Sequence, residues 1–379
     1  MQLQTDWSLP ANQYVILGID TWQKELDSRR KKHMRIDVLD PDNGSVVKSI
    51  DQTLAERPLP LSTYYSTGVY AQDEVPLLQD RIKLTLGGRW DWIRVENDKT
   101  LNPVYIVQNG QRIDSPPTQT VLWKENTVNN HSWSGNLGLL FHATPSTDFT
   151  FTAARSFRSP YISERYQYID LGNLVKVGNP NLKPENGMFT DVGIRVWKDK
   201  ISFSANAFYN RITDMVIEKA STYEGRNALL KSNVGKAELY GGEVRTDYRF
   251  YKQYSLHLST SYVHGQDVYV DEPLPLIPPL NGRISLSGPV SPFLNFNIAA
   301  TLYSEQERVA AWEASTPAYA YVDVYAFTRS FQIMNLRSQL FFGVENVLDT
   351  AYRNHLASNR GEISIEPGRN FMIRWELGI

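Results

Sequence analysis

The sequence contains no cysteine in 379 residues, so a disulfide framework and a thiolate metal site are both excluded. No run approaches about 18 consecutive apolar residues, which excludes a transmembrane helix. The 39 basic and 41 acidic residues leave a net charge of −2, so no basic field indicates nucleic-acid binding. Residues 1–6 show neither a basic n-region nor an apolar h-region. We therefore expect an export signal to have been removed or to lie on a longer parent chain.

Aromatic residues are abundant instead, with 21 Tyr, 15 Phe and 9 Trp. Such rings suit a boundary between water and an apolar phase, because tyrosine and tryptophan have a polar end and an apolar body. An ordinary β protein is the alternative, since aromatic residues are common in strands of every kind. The aromatic content by itself leaves both interpretations open.

Alternation with a period of two residues recurs along most of the chain. In one example, Tyr254, Leu256 and Leu258 share an apolar face, whereas Ser255 and His257 share the opposite face. Several such runs extend over about 10–14 residues, whereas strands of soluble proteins cluster near 5–6. Tilted strands of outer-membrane proteins need about 9–11 residues. The run lengths therefore favour strands that cross a membrane.

About fifteen strands follow from this alternation, with ends that are good to a few residues. They lie near 2–8, 14–25, 65–74, 81–95, 132–143, 148–157, 187–197, 201–212, 236–250, 254–264, 280–288, 292–304, 319–330, 335–347 and 368–378. The connections alternate between short and long, as expected for periplasmic turns opposite extracellular loops. A soluble sandwich has no reason to place every long loop at one end. We predict an all-β fold, an antiparallel transmembrane outer-membrane β-barrel, in the single domain 1–379.

Several motifs resemble those of TonB-dependent outer-membrane receptors, and they cover nearly the whole chain. The stretch 154–160 is similar to the family's FRAP motif, 179–185 to its NPNL…PE motif, and 233–243 to its N…A…GVE strand. The segment 342–349 resembles NLFD, and 367–371 resembles the PGR opening of the last strand. The motif residues are Phe157, Arg158, Pro160, Asn179, Pro180, Leu182, Pro184, Glu185, Gly241, Gly242, Glu345, Asn346, Gly368 and Arg369.

The resemblance implies a barrel of about 22 strands, an N-terminal plug and a short box that engages TonB. Neither the plug nor the TonB box is visible here, and roughly seven strands are missing from the count. We interpret the chain as the C-terminal part of the barrel, from a fragment or one reading frame of a split receptor. The motif residues are interpreted as structural, because Pro160 and Pro180 cannot sit in a central ladder and Gly241-Gly242 permits a bulge or a close backbone approach.

The stretch between the FRAP-like and NPNL-like motifs supplies three candidate ligand contacts. Haem receptors of this family often carry a histidine there, but 161–178 contains none and offers Tyr161, Tyr166 and Tyr168. Tyrosine can ligate haem iron. The alternative is that these rings belong to an aromatic girdle or pack within the loop.

His131 and His355 complete the candidate set, because they fall in or beside long loops where ligand capture would occur. The six histidines form no metal-binding spacing, so we predict no metal site and no resident cofactor. The basic run 29–33 lies in another predicted loop. It either binds lipopolysaccharide phosphate or an anionic ferric siderophore, or is a solvated loop.

The residues and the resemblance together lead to a functional hypothesis. We expect a receptor of the bacterial outer membrane that transports a scarce large solute, an iron complex such as a ferric siderophore or haem. TonB would act through a plug absent from this sequence, and the other partners would be outer-membrane lipid and lipopolysaccharide. The alternative is a truncated, non-energised barrel remnant or a passive outer-membrane pore. No nucleophile elbow or phosphate-cradling glycine loop occurs, so we do not expect an enzyme.

Overall fold

The computed structural model describes residues 1–311, 313–359 and 362–378. Within these residues the chain is mostly strand, with a 3₁₀ helix at Pro10–Asn12 and one α-helix, α1, at Ile162–Tyr166. Neither helix is long and apolar enough to cross a membrane.

Fifteen long strands form the main sheet of the described residues, each antiparallel to its neighbours. They are β1 (Gln2–Ser8), β2 (Tyr14–Leu26), β3 (Ser62–Leu77), β4 (Ile82–Asn97), β5 (Asn126–Thr144), β6 (Thr147–Arg158), β7 (Glu185–Lys198), β8 (Ile201–Thr213), β9 (Lys236–Tyr251), β10 (Tyr254–Asp267), β11 (Asn281–Pro289), β12 (Leu294–Tyr303), β13 (Tyr319–Thr328), β14 (Leu336–Glu345) and β15 (Asn370–Gly378). The short pieces Glu272–Pro273 and Phe331–Ile333 bring the sheet to seventeen strands. Each long strand overlaps a predicted one, so the predicted all-β, antiparallel architecture is confirmed.

Strand ends differ from the prediction mainly where the long loops leave the sheet. β5 begins at Asn126 rather than at 132, and β3 begins at Ser62 rather than at 65. Both extensions pair with the end of β4, where Asn97 lies opposite both first residues. The ladders therefore continue beyond the alternating segments that the sequence pattern marks.

The two faces of the main sheet differ sharply in polarity. On β4, Trp90 and Trp92 lie on one face and are 46% and 36% exposed, whereas Arg89 and Asp91 lie on the other. Arg89 pairs there with Asp91 and with Asp20 of β2, each at 2.6 Å. The apolar face also exposes Leu3, Ile19, Val69, Leu137, Val192, Val244, Ile284, Leu302, Phe342 and Ile373. These side chains remain exposed rather than packed, as expected if the apolar face meets lipid and the polar face lines a lumen.

The long connections leave one end of the sheet and build small sheets of their own. Four strands form the first loop sheet: Arg30–Leu39, Val46–Glu56, Tyr105–Gln108 and Gln111–Ile113. Four more form the second loop sheet: Tyr168–Asp170, Val175–Val177, Val216–Tyr223 and Arg226–Asn233. Two-stranded pairs are Thr100–Asn102 with Thr120–Trp123, and Ser358–Asn359 with Glu362–Ile363.

The larger buried apolar cluster of the described residues lies at this loop end, not in the middle of the sheet. It consists of Tyr64, Ile93, Val95, Trp123, Ile162, Tyr166, Val175, Val177 and Ala228. Inward-facing strand ends and loop residues contribute together to this core. The loops are consequently packed over the mouth of the lumen.

The main sheet has two free edges within the described residues. β1 pairs only with β2, and β15 pairs only with β14. Both edge strands run from the long-loop end to the short-turn end, because strand direction reverses an even number of times between them. They are therefore parallel to one another, and antiparallel pairing between them is impossible.

Candidate functional site

A branched ion pair shapes the mouth of the lumen at the long-loop end. Arg158, the last residue of β6, pairs through Nη1 with Glu164 Oε2 at 2.7 Å and through Nη2 with Glu185 Oε1 at 2.6 Å. Glu164 also accepts a hydrogen bond from the Tyr161 backbone N–H at 2.8 Å, which caps α1. Since Glu185 begins β7, this ion pair fastens α1 to two strands. The segment 159–184 between them is termed the cap.

Turns at proline and asparagine fold the cap back over the lumen. Pro160 is fully buried, and Asn179 Oδ1 accepts from the Asn181 backbone N–H at 3.0 Å. Leu182 is buried, and Pro184 immediately precedes β7. These residues contact other parts of the cap and its supporting strands, so their contacts are those of loop packing.

Arg165 is a residue of the cap that sequence analysis missed. Its side chain is 0% exposed, and Nη1 donates to the carbonyl oxygens of Pro180 and Leu182 at 2.9 and 3.0 Å. Burial lowers the pKa of this guanidinium. Its Nε and Nη2 have no hydrogen-bond partner within the described residues. No sequence signal marks such a residue, because arginine is almost never fully buried.

The three candidate tyrosines lie in three different surroundings. Tyr161 is 59% exposed at the start of α1. Tyr166 is buried, with its ring edge-on to Trp123 at 5.8 Å between centroids. Tyr168 is half-buried in the second loop sheet, 6.0 Å from the Tyr223 ring. Tyr161 is the most exposed of the three, and ligand contact by any of them stays a prediction.

One of the two candidate histidines lies in a strand and the other lies buried in a loop. His131 lies within β5 opposite Trp92, with its ring 6.5 Å from that of Trp90, so its predicted placement in or beside a loop is wrong. β5 extends further than the alternation indicated, and His131 faces outward with the tryptophans. His355 does lie in the last long loop, but it is buried, with Nδ1 3.3 Å from Thr316 Oγ1. Ligand contact by either histidine stays a prediction.

Within the described residues, the aspartate, glutamate and histidine side chains form no metal site. Across residues 1–311, 313–359 and 362–378, no three such side chains converge as metal ligands.

Motif residues near the end of the chain hold the last long loop onto β14 and β15. Glu345 accepts from the Tyr325 hydroxyl at 3.1 Å and from Asn370 Nδ2 at 3.2 Å. Asn346 Oδ1 accepts from the Thr350 backbone N–H at 2.9 Å. The loop therefore starts and ends on the same short stretch of the inner wall.

Glycine at three motif positions permits a close approach. A Cβ at Gly241 would lie 2.0 Å, and one at Gly242 3.1 Å, from a carbonyl oxygen of a neighbouring strand. The register runs through both glycines without a shift, so the structure shows the close approach and not the bulge. A Cβ at Gly368 would lie 2.6 Å from Asp349 Oδ1, which also accepts from the Arg369 backbone N–H at 2.8 Å.

A stack of four tyrosine rings lines the inner wall beside the last long loop, and sequence analysis missed it. Ring centroids are 4.7 Å apart for Tyr303–Tyr319, 4.7 Å for Tyr319–Tyr352 and 5.1 Å for Tyr352–Tyr321. The spacing of two residues between Tyr319 and Tyr321 was an available signal for a shared face. No sequence pattern could align Tyr352 with them, because it comes from a loop. The four residues are termed the tyrosine stack.

Comparison with known families decides the class of this protein. The model of the family described as "TonB dependent receptor-like, beta-barrel" matches residues 2–347. The chain belongs to this receptor family. Membership confirms the family and the barrel predicted from the sequence, and the bacterial outer-membrane location.

Curated relatives of the receptor chain match it over parts of their own length. It is 31% identical over 115 residues to "Vitamin B12 transporter BtuB" of Vibrio vulnificus (strain YJ016), covering 30% of this chain and 17% of the relative. It is 21% identical over 359 residues to "TonB-dependent heme receptor A" of Haemophilus ducreyi, covering 83% of this chain and 45% of the relative. The receptor chain thus spans less than half of these relatives.

Solved structures show the same fold at low sequence identity. "Copper transporter OprC" superposes with a TM-score of 0.76 at 18% identity, covering 99% of this chain and 55% of that one. The ferric yersiniabactin uptake receptor FyuA from Yersinia pestis gives a TM-score of 0.65 at 16% identity, covering 99% and 52%. The receptor chain therefore corresponds to about half of each solved barrel protein.

In the receptor, the basic run 29–33 is largely taken up by ion pairs. These are Arg29–Asp27 at 2.6 Å, Arg30–Glu56 at 2.6 Å, Lys32–Asp170 at 3.9 Å and His33–Asp51 at 3.6 Å, the last if His33 is protonated. The run thus contributes to the loop sheets rather than forming a separate basic patch. Binding of lipopolysaccharide phosphate or an anionic siderophore by this run stays a prediction.

The second loop sheet of the receptor should loosen at low pH. Arg226 Nη2 lies 2.8 Å from Asp170 Oδ1, and this contact is the main cause that lowers the pKa of Asp170 to about 2. Because this value is below the unfolded value of about 3.9, the stabilisation is present above pH 4 and is lost as pH falls towards 2. We expect faster amide exchange in 168–177 and 216–233 on acidification, measured by mass spectrometry with correction for intrinsic rates. Asp170→Asn should remove much of this dependence, and an unchanged profile would contradict the assignment.

Loss of the branched ion pair should open the cap. Arg158→Met leaves the carboxylates of Glu164 and Glu185 poorly solvated without their cation, so we expect about ten- to hundredfold more frequent opening. Cleavage by a lysine-specific protease at Lys176 would measure it. Arg249→Met is the matched control, since Arg249 is exposed on β9. Equal cleavage of the two variants would show that the ion pair does not hold the cap.

Proposed function

We propose that this chain forms the C-terminal part of the wall of a receptor that takes up a scarce large solute, an iron complex such as a ferric siderophore or haem. TonB would supply the energy through a plug that is not part of this sequence. The observation that carries the proposal is that the long loops, as far as the structure describes them, and the buried loop core lie over one mouth of a polar lumen.

The names of the relatives support a metal-containing solute without choosing one. They describe receptors or transporters for vitamin B12, heme, copper and ferric yersiniabactin. An iron complex is the commonest theme among these names, which is why it is proposed here. The inner wall offers tyrosine and carboxylate groups at the mouth, and these can contact a solute of that size.

The free edges support a wall that is completed by further strands. β1 and β15 run in the same direction, so an odd number of strands must lie between them in an antiparallel barrel. Outer-membrane transporters have about 22 strands, which would leave roughly seven to be supplied with the fifteen seen here. Seven is odd, as the geometry requires. The outward residues of β15, such as Phe371 and Ile373, are strongly exposed and suit lipid on that side.

Uptake in the cell that makes this chain tests the proposal. Deletion of its gene should abolish growth on haem or on one ferric siderophore as sole iron source, and the intact gene should restore growth. Restored growth should also require TonB. Growth that persists without TonB would support a passive pore, and unchanged growth on every iron complex would remove the iron assignment. Outer-membrane levels of the protein are the control for expression.

A further inference from the structure

The tyrosine stack forms a nearly parallel set of rings on the inner wall. Interplanar angles are 20° for Tyr303–Tyr319, 23° for Tyr319–Tyr352 and 17° for Tyr321–Tyr352. Tyr303 and Tyr319 face each other across β12 and β13, so the strand register holds that pair. Tyr352 comes from the last long loop and packs against both rings of β13, Tyr319 and Tyr321, whose own centroids are 6.4 Å apart. The stack is thus built by three separate segments at the long-loop end.

A cavity of about 340 Å³ adjoins this stack, and its wall is acidic. Tyr321, Tyr352, Asp323, Glu345 and Asn370 contribute to the lining. Two aromatic rings and two carboxylates therefore border one space. A tyrosine face carries negative quadrupole density, so both kinds of group attract positive charge.

The charges near the cavity are only partly compensated. Asp323 is 5% exposed, lies 3.5 Å from Arg283 and accepts from the Asn346 backbone N–H at 3.0 Å. Glu345 is hydrogen-bonded to neutral groups, the Tyr325 hydroxyl and Asn370. One guanidinium thus faces two carboxylates, which leaves the wall with net negative charge.

The phenol of Tyr352 is half-buried where it lines the cavity. Burial, followed by the neighbouring Tyr321 and Glu366, raises the pKa of Tyr352, so this phenol stays neutral at physiological pH. The stack therefore presents π faces and neutral hydroxyl groups rather than phenolates.

We propose that the tyrosine stack and the acidic cavity bind a flat, positively charged organic group, either a small cation or the cationic part of a larger solute. The ring would lie against the face of Tyr321 or Tyr352, and its charge would be stabilised by Asp323 and Glu345. Cation–π attraction strengthens when the cation is desolvated, as in a half-buried cavity. The inference rests on the receptor role proposed above and narrows the solute class.

A charge series of similar bicyclic probes tests this site in the complete receptor. Outer-membrane vesicles that contain the receptor are titrated with 1-methylquinolinium, with neutral quinoline and with anionic 2-naphthoate, and binding to receptor-free vesicles is subtracted. We expect the cation to bind at least about tenfold more tightly than the other two. Equal or tighter binding of the anion would overturn the proposal.

Side-chain variants separate the site from the rest of the wall. Tyr352→Leu and Glu345→Gln should each weaken binding of the cation about three- to thirtyfold, and Tyr352→Phe should stay within about threefold of the native receptor because the ring remains. Tyr262→Leu is the matched control, since Tyr262 is 45% exposed on the outward face of β10. Unchanged binding in Tyr352→Leu would overturn the proposal. If that variant fails to assemble, the charge series and Glu345→Gln decide the question.

The two proposals fail in different ways. Intact cation binding together with no uptake of any iron complex would remove the proposed transport function and leave this site in place. Intact uptake of an iron complex without preference for the cationic probe would remove this site and leave the transport function.

Discussion

Refolded by itself in detergent, this chain should give no compact band that shifts on heating when boiled and unboiled samples are compared on a gel. The reason lies in β1 and β15, each of which pairs on one side only within the described residues. In an apolar phase every unpaired backbone N–H and C=O costs several kcal/mol, and two full strand edges multiply that cost. The isolated chain should therefore aggregate or remain open.

Added strands should rescue closure only in odd number. Seven strands from the start of a barrel of the same family should restore a heat-modifiable band, because they connect two parallel edges with antiparallel pairing throughout. Six strands of the same barrel are the matched control, and they should fail. A second copy of this chain should also fail, since its own edges run in the same direction when it has the same orientation in the membrane. A compact heat-modifiable band from the chain alone would contradict the expectation.

The second large effect is expected at Gly241. A Cβ at this position would lie 2.0 Å from the Tyr262 carbonyl oxygen and 2.8 Å from Phe208 Cζ. The oxygen belongs to the backbone of β10, which the ladder holds in place, so β9 or β10 must shift. We expect Gly241→Ala to destabilise the complete barrel by about 1–3 kcal/mol, measured as a lower temperature of the gel shift or a lower urea midpoint.

Gly88→Ala is the control for that measurement. A Cβ at Gly88 has no atom within 4 Å, and Gly88 also lies within a long strand of the main sheet. The added methyl group of alanine meets no other atom there, so Gly88→Ala should change the stability of the barrel by no more than about 0.5 kcal/mol. If both variants unfold alike, the cost at Gly241 comes from a general property of glycine in strands and not from contact with β10.

The barrel wall was predictable because lipid imposes a strict rule on each strand. One face must be apolar and the next residue must face the lumen, so Trp90 and Arg89 alternate in the sequence as they do in space. That rule ends where a strand rises above the membrane. The ladder of β5 continues to Asn126, beyond the alternating segment, so the sequence predicts a position in or beside a loop for His131 where the structure has a strand.

The mouth of the lumen was less predictable, because its contacts join segments far apart in the chain. Arg158 and Glu185 lie at the two ends of the cap, and their ion pair depends on the pairing of β6 with β7. Arg165 is charged and would be assigned to the surface by any rule based on polarity. Its burial becomes visible only when the cap closes over it.

The sequence by itself determined the all-β class, the number and order of the long strands, and the separation of short turns from long loops, because alternation and turn residues are local properties. Only the tertiary structure decided which loop residues are buried and that the tyrosine stack exists. Those features depend on register and on packing between segments. The alternation of residues within one strand carries no information about where a distant loop will pack.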